Sequence, residues 1–129
     1  MNGRFLLDTN IVIALFSGEA NVCEHLRNLE QTFVPAIVLG ELYFGAHKSK
    51  HPHENLERID QFVMSTSILT CGTDTAKLYG DIKNTLRSKG RPIPENDIWI
   101  AALTRQYQLT LVTRDYHFNE VENIKLQIW

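Results

Sequence analysis

Four carboxylates stand where their sequence neighbours leave little room for an ordinary solvated role: Asp8, Glu41, Asp97 and Asp115. Asp8 follows the apolar run Phe5-Leu6-Leu7, which has no polar alternation and reads as a strand buried on both faces. Asp115 stands in nearly the same relation to a second such run, Leu109-Thr110-Leu111-Val112-Thr113. Glu41 lies in a helical stretch where its partners three and four positions away are Ile37, Val38, Phe44 and Gly45, and Asp97 opens a helix with Ile93, Pro94, Ile100 and Ala101 at those spacings. An unpaired charge on such a face is costly, so each needs a cation, a shifted protonation or an open cleft. Taken singly, each also has a plainer reading. Asp8-Thr9-Asn10 is turn chemistry in which Thr9 or Asn10 accepts the first N–H bonds of a helix. Glu41 can reach out from the edge of its stripe or pair with an arginine, and an acid such as Asp97 is favoured at a helix start by the dipole.

The elements that position these groups follow from periodicity. Strands are expected over residues 5–7, 32–34, 67–71 and 109–113, with a terminal edge strand over 124–129. Between them fall helices over 11–16, 19–29 and 36–46, an amphipathic helix carrying Leu56, Ile59, Phe62 and Val63, one capped by Thr73 and Asp74, and one opening near Pro94. Strands alternating with helices make an α/β fold with a mostly parallel sheet flanked by helices on both faces. Right-handed crossovers then bring the carboxyl ends of the strands to one edge. In strand order 3-2-1-4-5 the boundary between the first and fourth strands is a switch point where a crevice opens. All four acids can reach it.

Like charges about 5 Å apart repel by roughly 3 kcal/mol per pair at an effective dielectric near 20, so the cluster stays ionised only beside cations. Hard oxygen donors select Mg2+ or Mn2+ rather than zinc. Such an ion lowers the pKa of a bound water and stabilises charge on a phosphodiester leaving oxygen, which suggests metal-dependent hydrolysis of nucleic acid.

Composition sets the bounds. The chain has 129 residues, 43% hydrophobic and 22% charged, which fits one domain over 1–129. A net charge of −2 announces no nucleic-acid binder, although a local basic patch can hide in a neutral total. Cys23 and Cys71 have no CxxC spacing and are expected in the core of a protein from a reducing compartment. No leader-like or membrane-length apolar segment is present in the sequence, so a soluble, cytoplasmic chain is expected. His51-Pro52-His53 reads as an exposed turn rather than a metal site, and Asp81 as solvated. The basic loop over 87–92 fits helix-end dipole compensation and phosphate contact equally well. No Gly-x-Gly-x-x-Gly or Gly-Lys-Ser/Thr follows the first strand, which argues against a dinucleotide or P-loop domain. An aspartyl-phosphate enzyme wants a second Asp where Asn10 stands.

Together, Leu-Leu-Asp8-Thr9-Asn10, Glu41-Leu-Tyr-Phe-Gly-Ala46, Asn96-Asp97-Ile-Trp-Ile-Ala-Ala102 and Leu-Val-Thr113-Arg114-Asp115 resemble the four signatures of PIN-domain ribonucleases. Their order, spacing and the total length are most similar to VapC-type toxins of bacterial toxin–antitoxin pairs. The resemblance implies a single PIN-like domain with a metal site of Asp8, Glu41, Asp97 and Asp115, Asn10 and Thr113 as polar support, and Mg2+ as cofactor with Mn2+ able to substitute. It also implies an endoribonuclease that inhibits translation by cutting RNA, with transfer RNA a plausible target, to 5′-phosphate and 3′-hydroxyl ends. A homodimer is implied, together with a cognate VapB-like antitoxin laid across the active-site groove, DNA being met only through that antitoxin and no membrane being involved. Lys48, Lys50, Arg87, Lys89, Arg91 and Arg114 are the candidate phosphate contacts. The competing readings are a PIN nuclease of RNA processing and a non-catalytic PIN module that binds RNA or a partner. The filled quartet of acids argues against the last.

Overall fold

The central strand of the sheet is the one the sequence makes most apolar. In the computed structural model, which describes residues 3–29 and 31–129, β1 (Arg4–Leu7) lies between β2 (Gln31–Pro35) and β4 (Thr110–Thr113). β3 (Ser67–Leu69) and β5 (Lys125–Ile128) form the edges, giving the order β3-β2-β1-β4-β5 with every pairing parallel. Leu6 pairs with Phe33 on one side and Leu111 on the other, and Leu6, Leu7, Leu111 and Val112 are almost wholly excluded from solvent. Strands covered on both faces need apolar residues at successive positions, which is why these runs do not alternate.

The helices are α1 (Thr9–Phe16), α2 (Ala20–Arg27), α3 (Ala36–His47), α4 (Pro52–Met64), α5 (Thr73–Ser88) and α6 (Glu95–Gln106). A 3-10 turn over Tyr116–Glu120 joins β4 to β5. Right-handed crossovers carry α1 to α4 over one face as the chain steps from β1 to β3, and α5 and α6 over the other as it returns to β4. Ile11, Val12 and Ala14 of α1 and Ile100, Ala101, Ala102 and Leu103 of α6 are buried. No helix of the described residues is long and apolar enough to cross a membrane.

Several local expectations change. Asp8 itself caps α1: its carboxylate accepts from the Thr9 amide at 2.8 Å, and its carbonyl from Ile11 and Val12, so the helix starts two residues before Ile11. Helix α5 is capped at Gly72, whose amide donates to Thr75 Oγ1 at 3.0 Å, rather than by Thr73 and Asp74. Pro52 starts α4, because a missing N–H costs nothing in the first turn, so only His51 of the histidine pair stays outside the helix. Neither cysteine reaches the core: Cys23 is half-buried, and Cys71 is exposed beyond the edge strand β3. Asp81 is exposed as expected, yet pairs with Arg105 at 2.9 Å.

Leu111→Ala empties space at the centre of the sheet, where Leu111 is 0% exposed. It is expected to cost about 3 kcal/mol in denaturant unfolding, and a loss under about 1 kcal/mol would place the core elsewhere.

Candidate active site

The carboxyl edge of the sheet gathers the acids from the ends of two adjacent strands, the second turn of α3 and the first turn of α6. The amide of Asp8 donates to Val112 O at 3.0 Å, so the ladder between β1 and β4 continues up to the carboxylate. Asp8 is 5% exposed, and hydrogen-bond donors face both of its carboxylate oxygens. Thr113, itself buried, donates to Asp8 Oδ2 at 2.7 Å while the Thr9 amide holds Oδ1. Asn10 reaches both Asp8 Oδ2 and Thr113 Oγ1 at 3.4 Å, and its own carbonyl oxygen accepts from the Arg114 amide at 3.2 Å. The Asp115 amide donates to Thr113 Oγ1 at 2.9 Å. One threonine hydroxyl therefore ties the ends of the two central strands together.

Glu41 enters from α3, where Thr9 Oγ1 donates to Glu41 Oε1 at 2.7 Å. It is exposed, contrary to the expectation of a burying face. Of its four apolar neighbours only Val38 is fully buried in the core, whereas Phe44 is 64% exposed and Gly45 opens onto a groove, so the stripe divides between core and surface. That groove, about 370 Å³, is lined by Ile13, Phe16, Leu42 and Ile59 with Glu41 at its margin.

Asp97 enters from the first turn of α6 and is half-buried. Burial raises its pKa, and the charges of Asp8, Asp115 and Glu41 push it further, to about 7. Burial also raises Asp8, against the lowering effect of Thr113 and the Thr9 amide. The charges of Glu41 and Asp115 act on both Asp8 and Asp97, so the four acids lie within electrostatic reach at one edge of the sheet. The closest ligand atoms belong to Asp97, Asp115 and His117, all within 4.8 Å of one another. His117 was absent from the sequence-derived quartet, because a lone histidine in a polar turn carries no spacing signal. Its one clue is its position two residues after Asp115.

The basic candidates separate. Arg114 is taken up within the fold, forked onto Glu19 at 2.7 and 3.1 Å and donating to the carboxyl-terminal Trp129 O. Lys89 donates to Glu120 O at 2.7 Å and lies 3.5 Å from Glu122. Lys48 sits over the Phe44 ring, and Lys50 and Arg87 are exposed on the surface. Arg91 lines a cavity of about 680 Å³ with Asn10, Asp115, Tyr116 and His117, directly beside the acids.

The chain belongs to the PIN-domain family, whose profile matches residues 5–124. Its relatives within that family are VapC proteins. It is 34% identical to the ribonuclease VapC2 of Haemophilus influenzae, over 98% of each chain. It is 32% identical to the tRNA(fMet)-specific endonuclease VapC of Shigella flexneri, again over 98% of each. Among solved structures it is similar to the VapBC complex of Salmonella typhimurium bound to DNA, with a TM-score of 0.90, 29% identity and coverage of 100% of this chain and 99% of that one.

Asp97 makes stability depend on pH in metal-free protein. Its unfolded value near 3.8 rises to about 7 on folding, so between these the native state holds the extra proton and stability falls as pH rises, levelling above 7. Asp97→Asn removes that loss. The full shift corresponds to roughly 3 kcal/mol between pH 5 and pH 8. With solvent screening of this half-exposed group and EDTA present, the variant is expected to gain about 1 kcal/mol on the wild type over that range, roughly 4 °C in Tm. A difference in Tm that does not change with pH would contradict the coupling.

Proposed function

We propose that the chain is a divalent-metal-dependent endoribonuclease acting as the toxin of a toxin–antitoxin pair. The observation that carries this reading is the convergence of Asp8, Glu41, Asp97 and Asp115 on one sheet edge, with Asp97 driven to about 7 by its neighbours. Relatives named ribonuclease or tRNA-specific endonuclease support RNA as the substrate, and VapBC complexes support an antitoxin partner that links the chain to DNA.

The donor set fits a divalent cation: the carboxylates of Asp97 and Asp115 lie in close reach of one another and of His117, with no cysteine in the group. Asp97 and Asp115 would hold it, with Asp8 and Glu41 completing the negative field. Mg2+ is the proposed ion, with Mn2+ able to replace it. When bound, the cation supplies a water of lowered pKa and offsets charge on the scissile phosphate and its leaving oxygen. Thr113 and the Thr9 amide keep Asp8 aimed and favour its charged form against the opposing effect of burial, and Thr9 Oγ1 fixes Glu41. Asp97, which holds a proton near neutral pH in the free protein, gives it up as positive charge arrives. Arg91, which shares a cavity with Asp115 and with Arg114, is placed to hold a substrate phosphate, Arg114 being also paired to Glu19. The apolar groove beside Glu41, with the exposed Ile13 and Phe44 near it, suits an antitoxin segment that shuts RNA out of the site.

Purified protein is expected to cut RNA with Mg2+ or Mn2+, to stop with EDTA, and to leave 5′-phosphate and 3′-hydroxyl ends. Asp8→Asn should lower cleavage by 10³-fold or more, on the order of removing a principal transition-state group, while the fold persists in circular dichroism. Cyclic phosphate products with chelator present would point to attack by the RNA 2′-hydroxyl and contradict the metal reading.

A further inference from the structure

The four sequence signatures supply only oxygen donors, yet the tightest group of candidate ligands contains a nitrogen. His117 Nδ1 lies 3.0 Å from Asp115 Oδ1, and the ligand atoms of Asp97, Asp115 and His117 lie within 4.8 Å of one another. Asp115 Oδ1 also accepts from the His117 amide at 2.9 Å, and the next residue, Phe118, is fully buried and pins the turn. The imidazole thus stays beside the carboxylates, although the side chain is 59% exposed. It faces the cavity it shares with Asn10, Arg91 and Asp115. Neighbouring donors on an octahedral ion with bonds of about 2.1 Å sit about 3.0 Å apart, and opposite donors about 4.2 Å apart. The contact between His117 and Asp115 has the spacing of two neighbouring donors.

We propose that His117 is a nitrogen ligand of the divalent cation, forming with Asp97 and Asp115 a mixed nitrogen–oxygen set that favours Mn2+ over Mg2+. The inference rests on reading this edge as a metal-dependent nuclease centre. Imidazole suits transition ions, which gain from a nitrogen donor, whereas Mg2+ prefers oxygen and keeps its waters. Asp8 and Glu41, held by the two threonines, keep their place in the negative field of the site and need no change in geometry when the nitrogen binds.

The test is electron spin-echo envelope modulation on the full chain loaded with Mn2+, together with calorimetric affinities for Mn2+ and Mg2+. The wild type is expected to give nitrogen-14 modulation, which disappears in His117→Gln and persists in His53→Gln, a change at an exposed histidine of α4. His117→Gln is also expected to weaken Mn2+ binding by about 10-fold or more while changing Mg2+ binding by less than about 3-fold. Saturable Mn2+ binding without nitrogen modulation, or modulation that survives His117→Gln, would overturn the assignment and leave His117 as an ion-pair partner of Asp115 alone. Those results would leave metal-dependent cleavage standing. Absence of saturable binding of either ion, together with cleavage that resists EDTA, would overturn both this inference and the functional reading it rests on.

Discussion

A carboxylate buried at the end of the central strand is the constraint on which the rest of this structure turns. Asp8 has lost most of its water, and an ion in that position is tolerated only with donors aimed at it. The Thr113 hydroxyl and the Thr9 amide provide them, each bond to a charged acceptor being worth about 1.5–3 kcal/mol. Those two donors come from the end of β4 and the start of α1, so the bonds that satisfy the Asp8 carboxylate also tie together the strand end and the first helix. Arranging the site and closing the switch point of the sheet are therefore one structural act.

The remaining acids convert that local solution into a strained one. Asp97 and Asp115 crowd Asp8, Glu41 is drawn in through Thr9, and Asp97 responds by keeping a proton near neutral pH. A site that only needed to fold would place a neutral side chain at position 97. Retaining an acid there makes sense when positive charge arrives from outside the chain. Membership of the PIN-domain family agrees with that logic without replacing it.

Much of this was legible in the residues. Unalternating runs ending in Asp8 and near Asp115 marked a parallel sheet with acids at one edge, and the expected order β3-β2-β1-β4-β5, under which a switch point falls between the first and fourth strands, is the order found. What failed to show depended on contacts distant in sequence. Glu41 was placed on a burying face because Phe44 and Gly45 are apolar, but apolarity does not tell a core stripe from a groove wall. Arg114 looked like a free cation until the fold brought Glu19 and the chain end to it, and His117 became notable only when a turn set it against Asp115. Local pattern reads the element, and tertiary placement decides the role.

The central claim is that the edge holds a frustrated cluster whose missing component is a divalent cation. It is tested most directly by calorimetric titration of Mn2+ at pH 6.5 in buffers of differing ionisation enthalpy, which counts the protons displaced on binding. With Asp97 near 7, saturable binding should displace roughly three-quarters of a proton per site from that residue, and Asp97→Asn should lower the measured release by that amount. Saturable binding with no proton released by the wild type would contradict the account.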